Sequence, residues 1–202
     1  MAYVTLPTFV GYSTSSGAAR TSFVKRYRRL FDNPERGAFD FYGRATNAIR
    51  AGRASGLDAE SMETLVDQAI PKSLTHYTAV AEGWLRYLGR RKPELVDVGR
   101  AKWRHGEFES RISPQLGLRK PNGEVFATWL YFKEAPLTRD GANLALWSME
   151  QVMDDLLPEA TALVVDVRRA KEYTLNSRDR TRMEPWVRSE ATSFLTLWES
   201  AA

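Results

Sequence analysis

The sequence predicts an α+β fold in which an N-terminal helical region packs on a mixed β-sheet core. Apolar residues recur at helical spacing between residues 22 and 89, as on one face of an amphipathic helix. After residue 92 the pattern changes to short apolar or alternating segments separated by turn residues. We therefore divide the chain into a mainly helical region, residues 1–92, and a mixed α/β core, residues 93–202, with the order β-β-β-α-β and a C-terminal helix. The two regions are also compatible with one compact domain.

Four helices are predicted in the first region from capping residues and apolar stripes. Asn33 followed by Pro34 combines an N-cap side chain with proline at the first helical position. Gly89 is placed to end the last of the four helices. The predicted helices span residues 22–32, 34–52, 59–70 and 72–89, with Thr21 or Ser22 as the first N-cap. For residues 1–20, which contain the turn-rich stretch GYSTSSGAA, the sequence predicts no regular element.

The second region begins with strand signals. In HGEFESRI, residues 105–112, charged residues alternate with less polar ones, as on a half-buried strand. The turn signal PNG leads into EVFATWLYFK, residues 124–133, which is apolar on both faces and predicts a buried strand. Thr138 caps the helix that follows, and residues 160–175 predict a second buried strand. The final helix covers residues 184–198, with Pro185 near its start.

Composition limits the class of protein. The chain has 202 residues, of which 43% are apolar and 27% charged, a balance typical of a folded domain. No apolar run approaches the roughly 20 residues that span a bilayer, so no membrane partner is expected. The chain has no cysteine, which excludes disulfides and thiolate metal sites and fits a reducing compartment. The N-terminal stretch lacks the features of a secretion signal, and a cytoplasmic location is expected.

Positive charge is concentrated in the first half of the chain. Residues 1–100 hold 15 Lys and Arg against 10 Asp and Glu, whereas residues 101–202 hold 14 against 15. A basic cluster attracts phosphate backbones or acidic protein surfaces, and a solvated helix face explains the same pattern. The basic cluster consists of Arg20, Lys25, Arg26, Arg28 and Arg29.

Several common site types have no signature in this sequence. The two histidines, His76 and His105, lie at no ligand spacing from an acid or from each other. The phosphate loop, the dinucleotide fingerprint and the G-x-S-x-G motif do not occur. We therefore predict no metal site and no Ser-His-Asp enzyme from local motifs.

The helix after Thr138 carries a large aromatic residue on its polar side. Asn143, Trp147, Glu150 and Asp154 recur three or four residues apart, opposite the apolar stripe of this helix. A tryptophan on such a face requires a covering element. Either the N-terminal helices cover Trp147, or Asn143 and Trp147 border a binding site.

The order of a hairpin, a strand ending in lysine, a helix and a further strand resembles the RecB-type branch of the PD-(D/E)XK nuclease superfamily. In that family an acid lies in a Gly-x-x-Asp context, an acid-x-Lys motif ends the next strand, and a Gln-x-x-x-Tyr helix borders the site. The corresponding segments here are GLRK (117–120), YFK (131–133) and NLALW (143–147). The resemblance covers about residues 95–175.

The chain departs from this pattern at the catalytic acids. Lys120 and Tyr131 stand where the resemblance expects carboxylates. Such nucleases use paired carboxylates to hold Mg²⁺ or Mn²⁺, which activates water. The resemblance therefore implies a degenerate site without a metal. Weak candidates for a catalytic role are Lys133, Glu134, Glu107 and Glu109, with Asp166 as a further acid. A solvated strand face is the simpler explanation of Glu107 and Glu109.

Three functions remain open. The first is a non-catalytic interaction protein, a subunit or adaptor that binds a protein partner or a second copy of itself. The second is a pseudo-nuclease that binds DNA or RNA through the basic helical face, with Lys133 and Trp147 in a cleft. The third is an active metal-dependent nuclease with relocated acids. Only this last alternative requires Mg²⁺ or Mn²⁺ as cofactor.

Overall fold

The computed structural model describes residues 1–32, 41–89 and 91–201, and these residues confirm the α+β class. The helices are α1 Leu6–Ser13, α2 Ala18–Asp32, α3 Gly43–Ser55, α4 Asp58–Asp67, α5 Pro71–Leu88, α6 Arg139–Glu150, α7 Met153–Leu156 and α8 Ser177–Ser200. The strands are β1 Ala2–Thr5, β2 Glu94–Val96, β3 Ala101–His105, β4 Phe108–Ile112, β5 Leu116–Arg119, β6 Val125–Tyr131, β7 Thr161–Asp166 and β8 Lys171–Tyr173. None of these helices has the length and apolar character needed to cross a bilayer.

The strands form two sheets, whereas the sequence predicted one mixed core sheet. Five strands pair in the order β2-β5-β6-β7-β8, with β6 and β7 parallel and the other neighbours antiparallel. A second sheet has the order β1-β4-β3. The β3–β4 hairpin pairs with the N-terminal strand β1, not with β5. The sequence did not predict this division into two sheets, because residues 1–20 carried no recognised strand signal.

Strand β6 is buried on both faces, which explains its continuous apolar sequence. Phe126 and Leu130 pack with residues of α3, α4 and α5. Ala127, Trp129 and Tyr131 belong to a second core, which contains α1, α6 and α8. Since side chains alternate across a strand, β6 separates these two cores. Each core contains residues from both sides of residue 92.

The N-terminal region differs from its prediction at residues 2–13 and at the start of α2. Strand β1 and helix α1 occupy residues 2–13, where no element was predicted. Helix α2 begins at Ala18, so Thr21 and Ser22 lie inside the helix instead of capping it. The restart at Asn33 and Pro34 lies outside the described residues. The predicted helices over 59–70 and 72–89 correspond to α4 and α5.

Helix α6 lies at the centre of the molecule, and residues 141–149 are all buried. The Thr138 hydroxyl accepts a hydrogen bond from the Gly141 N–H at 3.1 Å, as the predicted cap requires. Helix α8 covers α6 and starts at its N-cap Asn176, so Pro185 lies inside the helix and not near its start. The connection from β6 through α6 to the parallel strand β7 places the ends of both strands at the same edge of the sheet.

Candidate functional site

A cavity opens at the C-terminal end of β6, where the strand leaves the core. Its volume is about 570 Å³, within the range of roughly 300–1,000 Å³ that small-molecule sites occupy. The first turns of α3, the segment between β4 and β5, and the end of β6 enclose it. We call it the basic cavity after four of its lining residues, Arg50, Arg100, Arg111 and Lys133.

The four cations come from separate parts of the fold. Arg50 lies in α3, Arg100 precedes β3, Arg111 lies in β4 and Lys133 follows β6. All four residues are exposed, and within the described ranges none forms an ion pair with a carboxylate. The described lining contains no Asp or Glu. Because these like charges have no counter-charge in the described lining, the cavity favours an anionic ligand.

Lys133 reaches from the end of β6 towards α1 and α2. Its ammonium nitrogen lies 3.7 Å from the point where a Cβ on Gly11 would stand. Although the residue as a whole is exposed, partial burial of the ammonium group lowers its pKa, and the positive charge of Arg26 lowers it further. An anion bound between Lys133 and Arg26 would relieve this repulsion.

Neutral polar and aromatic groups complete the lining. The Gln115 side-chain oxygen accepts a hydrogen bond from the Leu130 N–H at 2.8 Å, which leaves its amide N–H groups as donors. The buried Ser113 hydroxyl has no hydrogen-bond partner among the described residues. Tyr42 is half-buried and stacks on Phe132, with ring centroids 5.1 Å apart and planes at 17°. Burial raises the pKa of Tyr42, so its phenol stays protonated at neutral pH.

The start of α3 adds a backbone contribution to the same wall. Tyr42 and Gly43 line the cavity, and Tyr42 is the N-cap of α3 without a side-chain cap bond. The N–H groups of a first helical turn have no partner within the helix and carry partial positive charge. The N-terminal end of α3 therefore lies in the same wall as Arg50.

The segment that carries Lys133 is fixed by hydrogen bonds. Arg169 donates to the carbonyl oxygens of Lys133, at 3.4 Å, and Glu134. Arg169 also pairs with the fully buried Asp166, which accepts a bond from the Leu137 N–H at 3.2 Å. The Tyr131 hydroxyl donates to the Ala135 carbonyl at 2.8 Å. Asp166, a candidate relocated acid, therefore holds this loop and is not part of the cavity lining.

The described lining of the basic cavity does not fit Mg²⁺ or Mn²⁺. These ions take oxygen ligands, above all carboxylates, whereas the described lining offers four cations and no carboxylate. Within the described ranges, no three His, Asp or Glu side chains come together in a set that could hold a metal ion. Glu134 directly follows Lys133 but is not among the lining residues.

The five residues of the predicted basic cluster divide into two groups. Arg20 pairs with Glu190 of α8 at 3.0 Å. Arg28 donates to the Trp198 carbonyl and lies 5.2 Å from the centroid of the Trp198 ring. These two arginines attach α2 to α8. Lys25, Arg26 and Arg29 are exposed, and the charge of Arg26 acts on Lys133.

The structure separates the two glutamates near the β3–β4 turn. Glu107 is exposed and lies 3.6 Å from the N-terminal amine. Glu109, expected on a solvated face, has a side chain that is 3% exposed and accepts from Lys102 at 2.8 Å and Arg104 at 2.7 Å. These two cations from the neighbouring strand cover the carboxylate and hold its pKa below the ordinary value. Neither glutamate lines the basic cavity.

Asn143 and Trp147 lie in the core and not on a binding surface. Their exposed fractions are 4% and 2%. Trp103 of β3 meets the Trp147 ring, and the N-terminal helix α1 packs against α6 in the same core. The segment 117–120 is likewise remote from Lys133, since Arg119 pairs with Val125 at the opposite end of β6 from Tyr131.

Sequence reasoning identified Lys133 but missed most of the residues that surround it. Arg50, Arg100, Arg111 and Gln115 come from four segments, and the pairing of strands brings them together. One signal was available: Pro114 lies between β4 and β5, and a proline, which has no N–H to donate, marks a break between strands. No family model and no curated protein sequence matches the chain.

Proposed function

We propose that the chain is a non-catalytic nucleic-acid-binding protein that holds a single strand in the basic cavity. The observation that supports this most strongly is the set of four cations without carboxylate partners in one cavity, within the described residues. Phosphate groups are spaced regularly along a strand, so separate cations from α3, β4 and the end of β6 suit a chain of charges. Exposed Arg26 extends the positive surface beyond Lys133.

A single strand fits the lining better than a duplex does. Proteins that bind single strands combine a positively charged groove with aromatic side chains on which bases stack. Tyr42 supplies a half-buried ring beside the cations, and its stacking on Phe132 fixes the ring plane. The free amide N–H groups of Gln115 offer neutral donors to a base edge or a phosphate oxygen.

The resemblance to RecB-type nucleases agrees with a binding role at this end of β6. We propose that Gln115, not Lys120, occupies the position of the first catalytic acid, because Gln115 and Tyr131 line the same cavity. An amide and a phenol in these positions retain hydrogen-bonding groups but provide no paired carboxylates. The cavity therefore binds a phosphate directly through Lys and Arg, without a bridging metal ion.

Fluorescence anisotropy of a labelled single-stranded DNA or RNA of about 12 nucleotides tests this proposal. We expect binding that weakens steeply between about 50 and 200 mM salt, because phosphate contacts release counterions. Arg100→Gln, Arg111→Gln and Lys133→Gln should each weaken binding and reduce the salt slope by about 0.7 for each lost phosphate contact.

Arg119→Gln is the matched control, since Arg119 is an exposed strand arginine outside the cavity. Equal loss of affinity in this variant would show diffuse attraction to a basic protein and overturn the assignment of the site. If a mononucleotide competes as effectively as the unlabelled oligonucleotide, the ligand is a small phosphate compound and not a nucleic-acid strand. Absence of binding at low salt would exclude nucleic acid as the ligand of this cavity.

A further inference from the structure

A second cavity lies at the other end of the five-stranded sheet, beside the β5–β6 hairpin. Its volume is about 390 Å³. We call it the apolar cavity, because its walls include the buried side chains of Tyr87, Leu88, Leu118, Phe126 and Leu163. The basic cavity shares none of these residues. Cavities with mostly apolar walls and a few placed polar groups are typical of small-molecule sites.

Two cations lie against the aromatic walls of the apolar cavity. The Lys120 ammonium nitrogen is 4.3 Å from the centroid of the Phe126 ring, and the Arg91 guanidinium carbon is 5.2 Å from that of Tyr87. Among the described residues neither cation is paired with a carboxylate, and no described Asp or Glu lines the cavity. Positive charge is thus held beside apolar walls without a counter-charge among the described lining residues.

We propose that the apolar cavity binds an amphipathic carboxylate, a small molecule with an apolar chain or ring and one anionic head group. The apolar part would displace water from the walls formed by Leu118 and Leu163. The carboxylate would accept charge-assisted hydrogen bonds from Arg91 and Lys120. One Arg91 N–H group already donates to the Tyr87 carbonyl, and a guanidinium retains further donors.

Other ligand classes match the lining less well. A neutral apolar molecule would leave both cations without a partner inside the mouth of the cavity. A strand of nucleic acid requires a row of cations, whereas the described lining of this cavity has two beside apolar walls. The inference does not depend on nucleic-acid binding, because the two cavities have no described residue in common.

Three probes with the same alkyl chain and different head groups test the charge requirement: octanoate, 1-octanol and octyltrimethylammonium. Isothermal titration calorimetry of the full chain should show octanoate binding at least about tenfold more tightly than octanol, with the cationic probe weakest. Methyl resonances of Leu118 and Leu163 should shift on octanoate addition. Equal affinity for octanoate and octanol would overturn the proposal, as would methyl shifts confined to leucines outside this cavity.

Charge reversal at the mouth provides the decisive variant. Lys120 is half-buried, so Lys120→Glu leaves the apolar walls in place. We expect this variant to lose octanoate binding at least about tenfold and to gain affinity for octyltrimethylammonium. Arg119→Glu changes an adjacent exposed cation that does not line the cavity, and it should leave both affinities unchanged. The same loss in both variants would overturn the site.

Discussion

The indole of Trp147 in α6 meets the indole of Trp103 in β3 edge to face, with ring centroids 5.5 Å apart and planes at 83°. This arrangement suits the quadrupoles of two aromatic rings. It joins the central helix to the three-stranded sheet. Since both residues are buried, the contact stabilises the fold and does not present Trp147 to a ligand.

Trp147→Ala should lower the free energy of unfolding by about 3–5 kcal/mol, because it removes a large buried side chain. Trp103→Ala and the double variant complete a cycle in which we expect a coupling of about 0.5–1.5 kcal/mol. Urea unfolding measures both quantities. In the folded fraction, oligonucleotide affinity should stay unchanged, and a selective loss of affinity would contradict the buried position of Trp147.

Substitution of two helical glycines by alanine should have opposite effects on the stability of the fold. A Cβ on Gly83 of α5 would stand 2.1 Å from the Val167 carbonyl oxygen, whereas one on Gly11 of α1 would meet Phe23 at an ordinary 3.4 Å. Gly83→Ala should therefore destabilise by about 1–3 kcal/mol or more through overpacking. Gly11→Ala should be neutral or stabilising by up to about 1 kcal/mol. Thermal unfolding of the two variants measures the contrast, and a stable Gly83→Ala protein would contradict the close approach of α5 to Val167.

Acid should weaken the fold in part through Glu109. Lys102 and Arg104 lower its pKa in the folded state, so its carboxylate stabilises the fold above the unfolded pKa of about 4.3. This contribution is lost as pH falls through the lower, folded pKa. Both cations are more than half exposed, which limits the contribution to about 1–2 kcal/mol.

Urea unfolding between neutral pH and acid measures this contribution. Wild type should exceed Glu109→Gln in stability at neutral pH, and the difference should shrink below the unfolded pKa. Glu107→Gln is the control, because Glu107 is exposed on the adjacent turn. A difference between wild type and Glu109→Gln that stays constant across this range would contradict the assigned ion pairs.

Nucleic acid should raise the pKa of Lys133. Burial and the charge of Arg26 lower this pKa in the free protein, and a bound phosphate would favour the charged ammonium. NMR titration of the lysine side-chain resonances, with and without saturating oligonucleotide, measures the shift. Arg26→Gln should raise the pKa of Lys133 without any ligand. If the pKa of Lys133 is unchanged at saturating oligonucleotide, the bound phosphates do not lie next to Lys133.

The hydrophobic periodicity of α6 predicted a helix correctly but predicted incorrectly that one face of this helix is exposed to solvent. Its N-cap at Thr138 was predicted correctly, but the predicted helix continued past Asp154, whereas α6 ends at Glu150 and α7 is a separate helix. Its polar face was misassigned because the helix lies between the five-stranded sheet and the layer of β3, α1 and α8, which bury it on all sides. An amphipathic pattern is typical of a helix with one solvent-exposed face. Nothing local to α6 indicates that Trp103 covers Trp147.

The basic cavity was less accessible to sequence reasoning than the fold. Lys133 could be identified from the sequence because it directly follows an apolar segment predicted as a buried strand. No local sequence feature distinguishes the three arginines from other surface arginines. Their segments come together only through the pairing of β1 with β4 and of β5 with β6. The prediction that Glu109 lies on a solvated face was wrong for a related reason. Lys102 and Arg104, which cover its carboxylate, lie on the neighbouring strand of the hairpin.

The fixed loop after β6 has a consequence for the strength of binding. A lysine on a free loop loses conformational entropy when it closes on an anion, at a cost of about 0.5–1.5 kcal/mol for an immobilised side chain and more for its backbone. Asp166, Arg169 and Tyr131 already restrict the backbone at Lys133 when the chain folds. The ordering of this segment is thus completed during folding, and an arriving phosphate has only the lysine side chain left to immobilise.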